Sequence, residues 1–96
     1  MMSLEEIKKL NEGTMMETLG IEYIDVKEGY VYARMMVRPD LSQPYGMLHG
    51  GASMALAESI GGVGSAFYLG IDNYIIRGMQ MSTNHVKAAK VGTYVY

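Results

Sequence analysis

The sequence contains no cysteine, and this excludes several kinds of site at once. Without thiols there can be no disulfide framework, no thiolate metal site and no cysteine nucleophile. The lack of cysteine is consistent with a cytoplasmic protein, and we predict no metal site. The N-terminal stretch MMSLEEIKKLNEG lacks the basic and then apolar layout of a secretory signal, and it is typical of a soluble amphipathic helix.

An excess of charge of either sign is also missing. Eight basic and ten acidic residues give a formal net charge of −2, so the composition offers no basic footprint for nucleic acid. The chain has 96 residues, of which 49% are hydrophobic, as in a small globular domain. A chain this short buries only somewhat more than about 60% of the surface that it exposes when unfolded. We therefore expect a single domain that gains stability when subunits associate.

Helical and strand patterns follow one another in the first part of the chain. A capping-box spacing, Ser3 with Glu6, predicts a first helix over about residues 4–11. The same spacing begins again at Thr14 and predicts a second short helical turn. Alternating apolar residues around the turn KEG then predict two antiparallel strands in the stretch IEYIDVKEGYVYARMMVR.

The longest predicted element is an apolar helix from Gly50 to Leu69 that stops at Gly70. After it the segment Tyr74–Val86 is β-prone, and the final TYVY predicts a last short strand. Strands that succeed one another without alternating helices favour an α+β fold in which an antiparallel sheet packs against the long helix. Several small residues would let a curved sheet approach that helix closely, namely Ala52, Ala55, Ala57, Gly61, Gly62 and Gly64.

Glu58 is the one charged residue of the predicted long helix. A carboxylate at mid-bilayer is costly, so Glu58 argues against a membrane span over the apolar stretch Ala52–Leu69. In a folded domain such a carboxylate is paired, faces a polar cavity, or is driven toward its neutral form by desolvation. The plain structural alternative is that Glu58 reaches the rim of the helix or neutralises Arg77 or Lys87.

His49, Gly50 and Gly51 stand where the long helix begins. Unpaired backbone N–H groups and the positive end of the helix dipole favour negative charge there, and glycine permits a close approach. An acyl carbonyl that develops oxyanion character would be stabilised by such donors. Eight residues separate Gly50 from Glu58, or about 12 Å of helical rise, so one small group cannot touch both in the same subunit. A second subunit could close that gap.

Two quoted stretches carry a resemblance to a known family. QPYGMLHGGASMALAES, followed later by STNHVKAA, is similar to the motifs of hotdog-fold acyl-CoA thioesterases, in the branch that acts on aromatic acyl-CoAs such as 4-hydroxybenzoyl-CoA and 1,4-dihydroxy-2-naphthoyl-CoA. The resemblance implies a hotdog fold, an antiparallel sheet wrapped around a long central helix, as a single thioesterase domain over residues 1–96. It also implies a homo-oligomer, a dimer or a dimer of dimers, with active sites between subunits and neither nucleic acid nor membrane as a partner. The implied reaction is hydrolysis of an aromatic or medium-chain acyl-CoA to the free acid and coenzyme A.

The resemblance also implies roles for individual residues. Glu58 matches the catalytic carboxylate, which acts as a nucleophile or as a general base for water. Gly50 matches the glycine whose backbone N–H polarises the thioester carbonyl. Gln43 matches the loop glutamine that assists at the same carbonyl. His49 matches the motif histidine, which positions the loop and can reach the thioester. Three further residues fall along the implied coenzyme A path, where a cation would suit the phosphates: Asn84, His85 and Lys87. No cofactor is implied, because coenzyme A is part of the substrate.

The sequence departs from the family pattern at two places. Relatives commonly carry a serine or threonine one helical turn after the carboxylate, and here that position is Gly62. Relatives also continue past the equivalent of Tyr96 with further strands, so the resemblance implies a domain that is incomplete at its C-terminal side. The activity of this chain, and the choice between nucleophile and general base, stay open at this point.

Plainer interpretations exist for most of these residues. His49 also fits a residue that bonds the backbone at a helix start, and the glycines after it fit close packing. The ten methionines fit adaptable core filler as well as a methionine-lined acyl pocket. The joint spacing of Gln43, His49, Gly50 and Glu58 favours hydrolysis. The competing functions are a non-catalytic acyl-CoA-binding or assembly module, and dehydration of a hydroxyacyl chain, which pairs a histidine with an acid at a different spacing.

Overall fold

A computed structural model describes residues 3–70 and 75–96 of the chain. The elements, in chain order, are α1 (Leu4–Leu10), α2 (Met15–Leu19), β1 (Ile21–Lys27), β2 (Tyr30–Met36), a 3-10 turn (Pro39–Leu41), α3 (Gly50–Leu69) and β3 (Tyr94–Val95). The predicted succession of two short helices, two strands and one long helix is confirmed, with bounds that agree to within about a residue.

The two short helices begin with different hydrogen bonds at their N-termini. Ser3 caps α1, because its Oγ accepts a hydrogen bond from the Glu6 N–H at 3.2 Å. Thr14 does not cap α2 in the same way, since its Oγ1 donates to the Asn11 carbonyl at 2.6 Å. The helix ends at Gly20, whose φ of 74° is the left-handed conformation that glycine adopts at little cost.

The sheet has the order β1-β2-β3 and is antiparallel throughout. β1 and β2 form a hairpin in which Ile21 lies opposite Met35 and Lys27 opposite Tyr30. β3 pairs with the other edge of β2, and Val95 lies opposite Met35 there. The inner face of this sheet packs against α3, as the sequence predicts.

The long helix is held against the sheet by two clusters of buried side chains. The first consists of Ile7, Tyr23, Ala33 and Phe67, and the second of Leu19, Met35, Ala52 and Leu56. Because each cluster contains residues of α3 together with residues of the sheet, packing retains a helix whose three central glycines disfavour it. Within residues 3–70 and 75–96, no helix is both long enough and apolar enough to cross a membrane.

The segment after α3 corrects one prediction. The strand predicted over Tyr74–Val86 is absent from residues 75–86, and Tyr74 lies outside the described residues. A strand needs a neighbouring strand for its backbone hydrogen bonds, and residues 75–86 have none, since the sheet pairings of the described residues join only β1, β2 and β3. The segment instead runs along α3, with Gly78 beside Glu58 and His85 beside Gly50.

Two glycines of α3 differ in the space around them, and this gives a stability prediction. A Cβ added at Gly61 would meet no atom within 4 Å, whereas one at Gly64 would lie 3.2 Å from Cγ2 of Val31. Alanine favours a helix over glycine by about 1 kcal/mol. We therefore expect Gly61→Ala to raise the free energy of unfolding by about 1 kcal/mol, and Gly64→Ala to raise it less or to lower it. Urea unfolding of both variants measures this, and equal gains would show that the sheet does not press on α3 at Gly64.

Candidate active site

The loop that leads into α3 is shaped by Gln43. Its side-chain Oε1 accepts a hydrogen bond from the Tyr45 N–H at 2.5 Å, and its backbone N–H donates to the Met47 carbonyl at 2.8 Å. At the end of the loop the His49 N–H donates to the Leu41 carbonyl at 2.8 Å. The loop therefore delivers the chain to the start of α3 in a fixed conformation.

His49 is the N-cap of α3. Its Nδ1 accepts a hydrogen bond from the Gly51 N–H at 2.8 Å, which is the plain capping role foreseen for it. In a neutral imidazole the accepting nitrogen carries no proton, so Nε2 carries the proton and can donate it to a hydrogen-bond acceptor outside the helix. The side chain is exposed, so such an acceptor could come from a bound molecule.

Gly50 is the first residue of α3, and its N–H has no acceptor within residues 3–70 and 75–96. A Cβ added to Gly50 would lie 2.9 Å from Nε2 of His85, so a larger residue would displace that imidazole. The chain just after His85 is tied to the loop, because the Leu48 N–H donates to the Ala89 carbonyl at 2.8 Å. The structure thus brings His85 to the start of α3, together with an unused backbone donor.

Glu58 is exposed on α3 and forms no ion pair in the described part of the chain. The structural alternative of an ion pair with Arg77 or Lys87 is therefore wrong, whereas the alternative of a Glu58 that reaches the rim of the helix agrees with its exposure. Its carboxylate instead lies against Gly78, where an added Cβ would overlap Oε1 of Glu58. Only a residue without a side chain fits at position 78 while the carboxylate keeps this place.

Glu58 borders a cavity of about 660 Å³. The cavity lies between α3, the α1–α2 segment and the chain that follows residue 74, and its walls include Ile7, Leu10, Met15, Met16, Val63 and Ile76. Glu58 is the one carboxylate among the described residues that line it. The cavity that Glu58 faces is thus largely apolar rather than polar, and a large apolar cavity with few polar groups is typical of a small-molecule site.

Two half-sites can now be defined within the chain. The helix-start half-site consists of Gln43, His49, Gly50 and His85, and the cavity half-site consists of Glu58, Gly78 and the walls of the cavity. Gly50 and Glu58 belong to one continuous helix, which separates them by about 12 Å along its axis. The structure therefore keeps the two half-sites of one chain apart.

Two of the predicted site residues, Asn84 and Lys87, make no contact with the described residues that tests their role. Asn84 and Lys87 are exposed and make no side-chain hydrogen bond or ion pair within residues 3–70 and 75–96, so their placement on a coenzyme A path stays a prediction. The contact of Gly78 with Glu58 has no signal in the neighbouring sequence. The adjacent methionines Met15 and Met16 are the only hint that the α1–α2 segment forms a cavity wall.

Among the described residues, no group of three or more acidic or histidine side chains could hold a metal ion.

Comparison with known proteins gives a consistent result. A family model described as the thioesterase superfamily matches residues 45–96, which is more than half of the chain. A Vibrio cholerae protein with a provisional esterase designation is 42% identical over 94% of this chain and 59% of its own length. The 1,4-dihydroxy-2-naphthoyl-CoA hydrolase of Escherichia coli is 36% identical over 94% of this chain and 65% of its own length.

Solved structures show the same similarity. The crystal structure of a thioesterase from Haemophilus influenzae matches with a TM-score of 0.88 and 31% sequence identity, over 98% of this chain and 64% of that chain. The chain described here therefore spans 59% to 65% of the length of the proteins with which it is compared.

Proposed function

Because the chain belongs to the thioesterase superfamily, we propose that it hydrolyses an acyl-CoA thioester to a free acid and coenzyme A. Glu58 is the reacting carboxylate in this proposal. The single observation that carries it is the position of Glu58, an unpaired carboxylate on the wall of an apolar cavity large enough for an acyl group. An aromatic or medium-chain acyl group suits that cavity, and a hydrolase of one aromatic acyl-CoA is among the relatives.

The helix-start half-site supplies the oxyanion donor. The Gly50 N–H has no acceptor among the described residues and lies at the positive end of α3, where it can donate to the thioester oxygen as negative charge develops. His49 presents Nε2–H on the same turn, and Gln43 holds the loop in place. Asn84, His85 and Lys87 are proposed to bind the coenzyme A moiety.

Two routes use the same residues. In the first, Glu58 takes a proton from water as the water oxygen bonds to the carbonyl carbon. The C–S bond then breaks, and the coenzyme A sulfur leaves with the electron pair and takes up the proton that Glu58 had gained. In the second, a Glu58 oxygen bonds to the carbonyl carbon and expels the thiolate, and water then hydrolyses the resulting anhydride. Single turnover in ¹⁸O-labelled water tests for the second route, because label in Glu58 shows that water attacked the Glu58 carbonyl carbon of an anhydride, a step that the first route lacks.

The site needs two subunits in this proposal. Because about 12 Å of helix separates Gly50 from Glu58 in one chain, the Glu58 of one subunit is proposed to face the helix-start half-site of another. A dimer provides two such sites by symmetry, and a dimer of dimers provides four. A cytoplasmic location and independence from any metal or further cofactor belong to the same proposal.

The position one turn after Glu58 offers a test of how the carboxylate is supported. Gly62 borders the same cavity as Glu58, and a Cβ added there would meet no atom within 4 Å. A serine hydroxyl at this position can donate a hydrogen bond to the carboxylate or to the attacking water. We expect Gly62→Ser to raise kcat by several-fold, by about 1 kcal/mol of added stabilisation. Gly62→Ala is the matched control, because it adds the Cβ without the hydroxyl, and an equal change in both variants would contradict the role of the hydroxyl.

The proposed function is tested by the release of free coenzyme A from benzoyl-CoA and hexanoyl-CoA in a chromogenic thiol assay. Steady release that depends on Glu58 supports hydrolysis. The alternative function is a non-catalytic acyl-CoA-binding module, which is favoured by the absence of a hydroxyl at Gly62. It predicts coenzyme A binding without thiol release, and enoyl product would instead indicate dehydration.

A further inference from the structure

Two hydrophobic side chains stand exposed on the α1–α2 segment at the edge of the cavity. Leu10 is 54% exposed and Met15 is 63% exposed, and both line the cavity that Glu58 borders. Neither belongs to the two buried clusters that hold the fold together. Exposed apolar area beside a cavity is covered favourably by an apolar ligand.

We infer that Leu10 and Met15 are specificity-determining residues, which contact the end of the acyl group remote from the thioester and set the size of the acyl group that is accepted. This inference rests on the proposed function only in taking the ligand to be an acyl thioester whose carbonyl lies beside Glu58. Glu58 belongs to the α3 wall of the cavity, whereas Leu10 and Met15 belong to the wall made by α1 and α2. An acyl chain that starts at Glu58 and extends into the cavity therefore meets the α1–α2 wall.

The dimensions of the cavity define the class of acyl group. A volume of about 660 Å³ greatly exceeds that of an acetyl group, which would leave most of the cavity to water. A hexanoyl or aromatic acyl group fills more of the cavity and covers more of its apolar wall. The methionine adds adaptability, because its unbranched side chain can follow acyl groups of different shape. The preferred substrates are thus apolar acyl groups larger than acetyl.

The absence of tryptophan from the sequence allows a direct binding test. Met15→Trp introduces a single tryptophan at the cavity, and Met79→Trp is the matched control because Met79 is 99% exposed and does not line the cavity. The probe is S-hexyl-coenzyme A, a thioether that cannot be hydrolysed, and free coenzyme A is the second ligand. We expect S-hexyl-coenzyme A to shift the emission of Met15→Trp to shorter wavelength. Free coenzyme A is expected to leave it unchanged, and Met79→Trp to respond to neither. The same response in both variants would overturn the inference.

A kinetic test uses the same two variants. The larger indole at position 15 fills part of the cavity, so Met15→Trp is expected to lower kcat/KM for hexanoyl-CoA relative to acetyl-CoA by about tenfold or more. Met79→Trp is expected to keep the wild-type ratio. An unchanged ratio in Met15→Trp would overturn the assignment of Met15 as a specificity residue.

The two tests separate this inference from the proposed function. If the wild-type protein hydrolyses the acyl-CoA panel while the two variants behave alike, the proposed role of Leu10 and Met15 in specificity is wrong and the proposed hydrolysis is supported. If the wild-type protein hydrolyses nothing while Met15→Trp alone responds to S-hexyl-coenzyme A, the proposed hydrolysis is wrong and acyl binding at the α1–α2 wall is supported.

Discussion

Glu58→Gln is expected to lower the rate of coenzyme A release from benzoyl-CoA by about 10²–10⁴-fold, the usual contribution of a positioned acid or base. An amide has nearly the shape of the carboxylate but can neither take a proton from water nor attack the carbonyl. The loss should appear mainly in kcat, because Glu58 acts on the reacting centre rather than on the coenzyme A moiety.

The fold of this variant is expected to stay intact. Glu58 is exposed and has no ion-pair partner in the described part of the chain, so the substitution removes no stabilising bond from those residues. Circular dichroism and urea unfolding should match the wild-type protein. Glu28→Gln, at an exposed position in the hairpin turn, is the control and should keep full activity. A Glu58→Gln protein with wild-type hydrolysis would exclude the carboxylate from the chemistry.

Gly50→Val is expected to lower kcat by about 10²–10³-fold, the usual effect of losing one oxyanion donor. Even the Cβ of a larger residue would lie 2.9 Å from Nε2 of His85, so a branched side chain must displace the imidazole or block the approach to the Gly50 N–H. Either change prevents the Gly50 N–H from donating a hydrogen bond to the carbonyl oxygen of the thioester.

A second valine variant separates this effect from a general disturbance of α3. Gly61→Val places the same side chain on the same helix, where an added Cβ meets nothing within 4 Å. Activity and unfolding should be measured for both variants. If Gly61→Val loses as much activity as Gly50→Val, then the loss in Gly50→Val is not specific to the oxyanion donor.

The bounds of the helices and the hairpin were predictable because local residues set them. Ser3 and Gly70 mark helix ends in sequence and cap them in the structure. The turn before Tyr30 fixes the register of the hairpin as far as Asp25, and a bulge between Tyr23 and Asp25 then shifts it. The hotdog architecture implied by the resemblance agrees with the antiparallel sheet, the central helix and the TM-score of 0.88 to a thioesterase. The strand expected over residues 75–86 failed because a strand depends on a distant partner, and β-propensity alone does not provide one.

The part of the candidate site that depends on local sequence was predictable, and the part that depends on contacts between distant segments was not. The motif placed His49 and Gly50 at a helix start and Glu58 two turns later, and the structure has them there, while Gln43 lies in the loop before the helix. The contacts of Gly78 with Glu58 and of His85 with Gly50 join segments more than 15 residues apart, and no local pattern signals them. The apolar wall offered by Leu10 and Met15 is likewise a product of packing between separate helices.

The central claim, that one subunit supplies Glu58 and another supplies the Gly50 donor, is tested most directly by mixing the two inactive variants. Co-expression of Glu58→Gln with Gly50→Val gives dimers of which about half are mixed, and each mixed dimer has one intact site of two. We therefore expect the mixture to hydrolyse benzoyl-CoA at about a quarter of the wild-type rate, far above either variant alone. A mixture that forms hybrid dimers yet stays as inactive as its parents would place Glu58 and Gly50 in the same subunit's site and contradict the account.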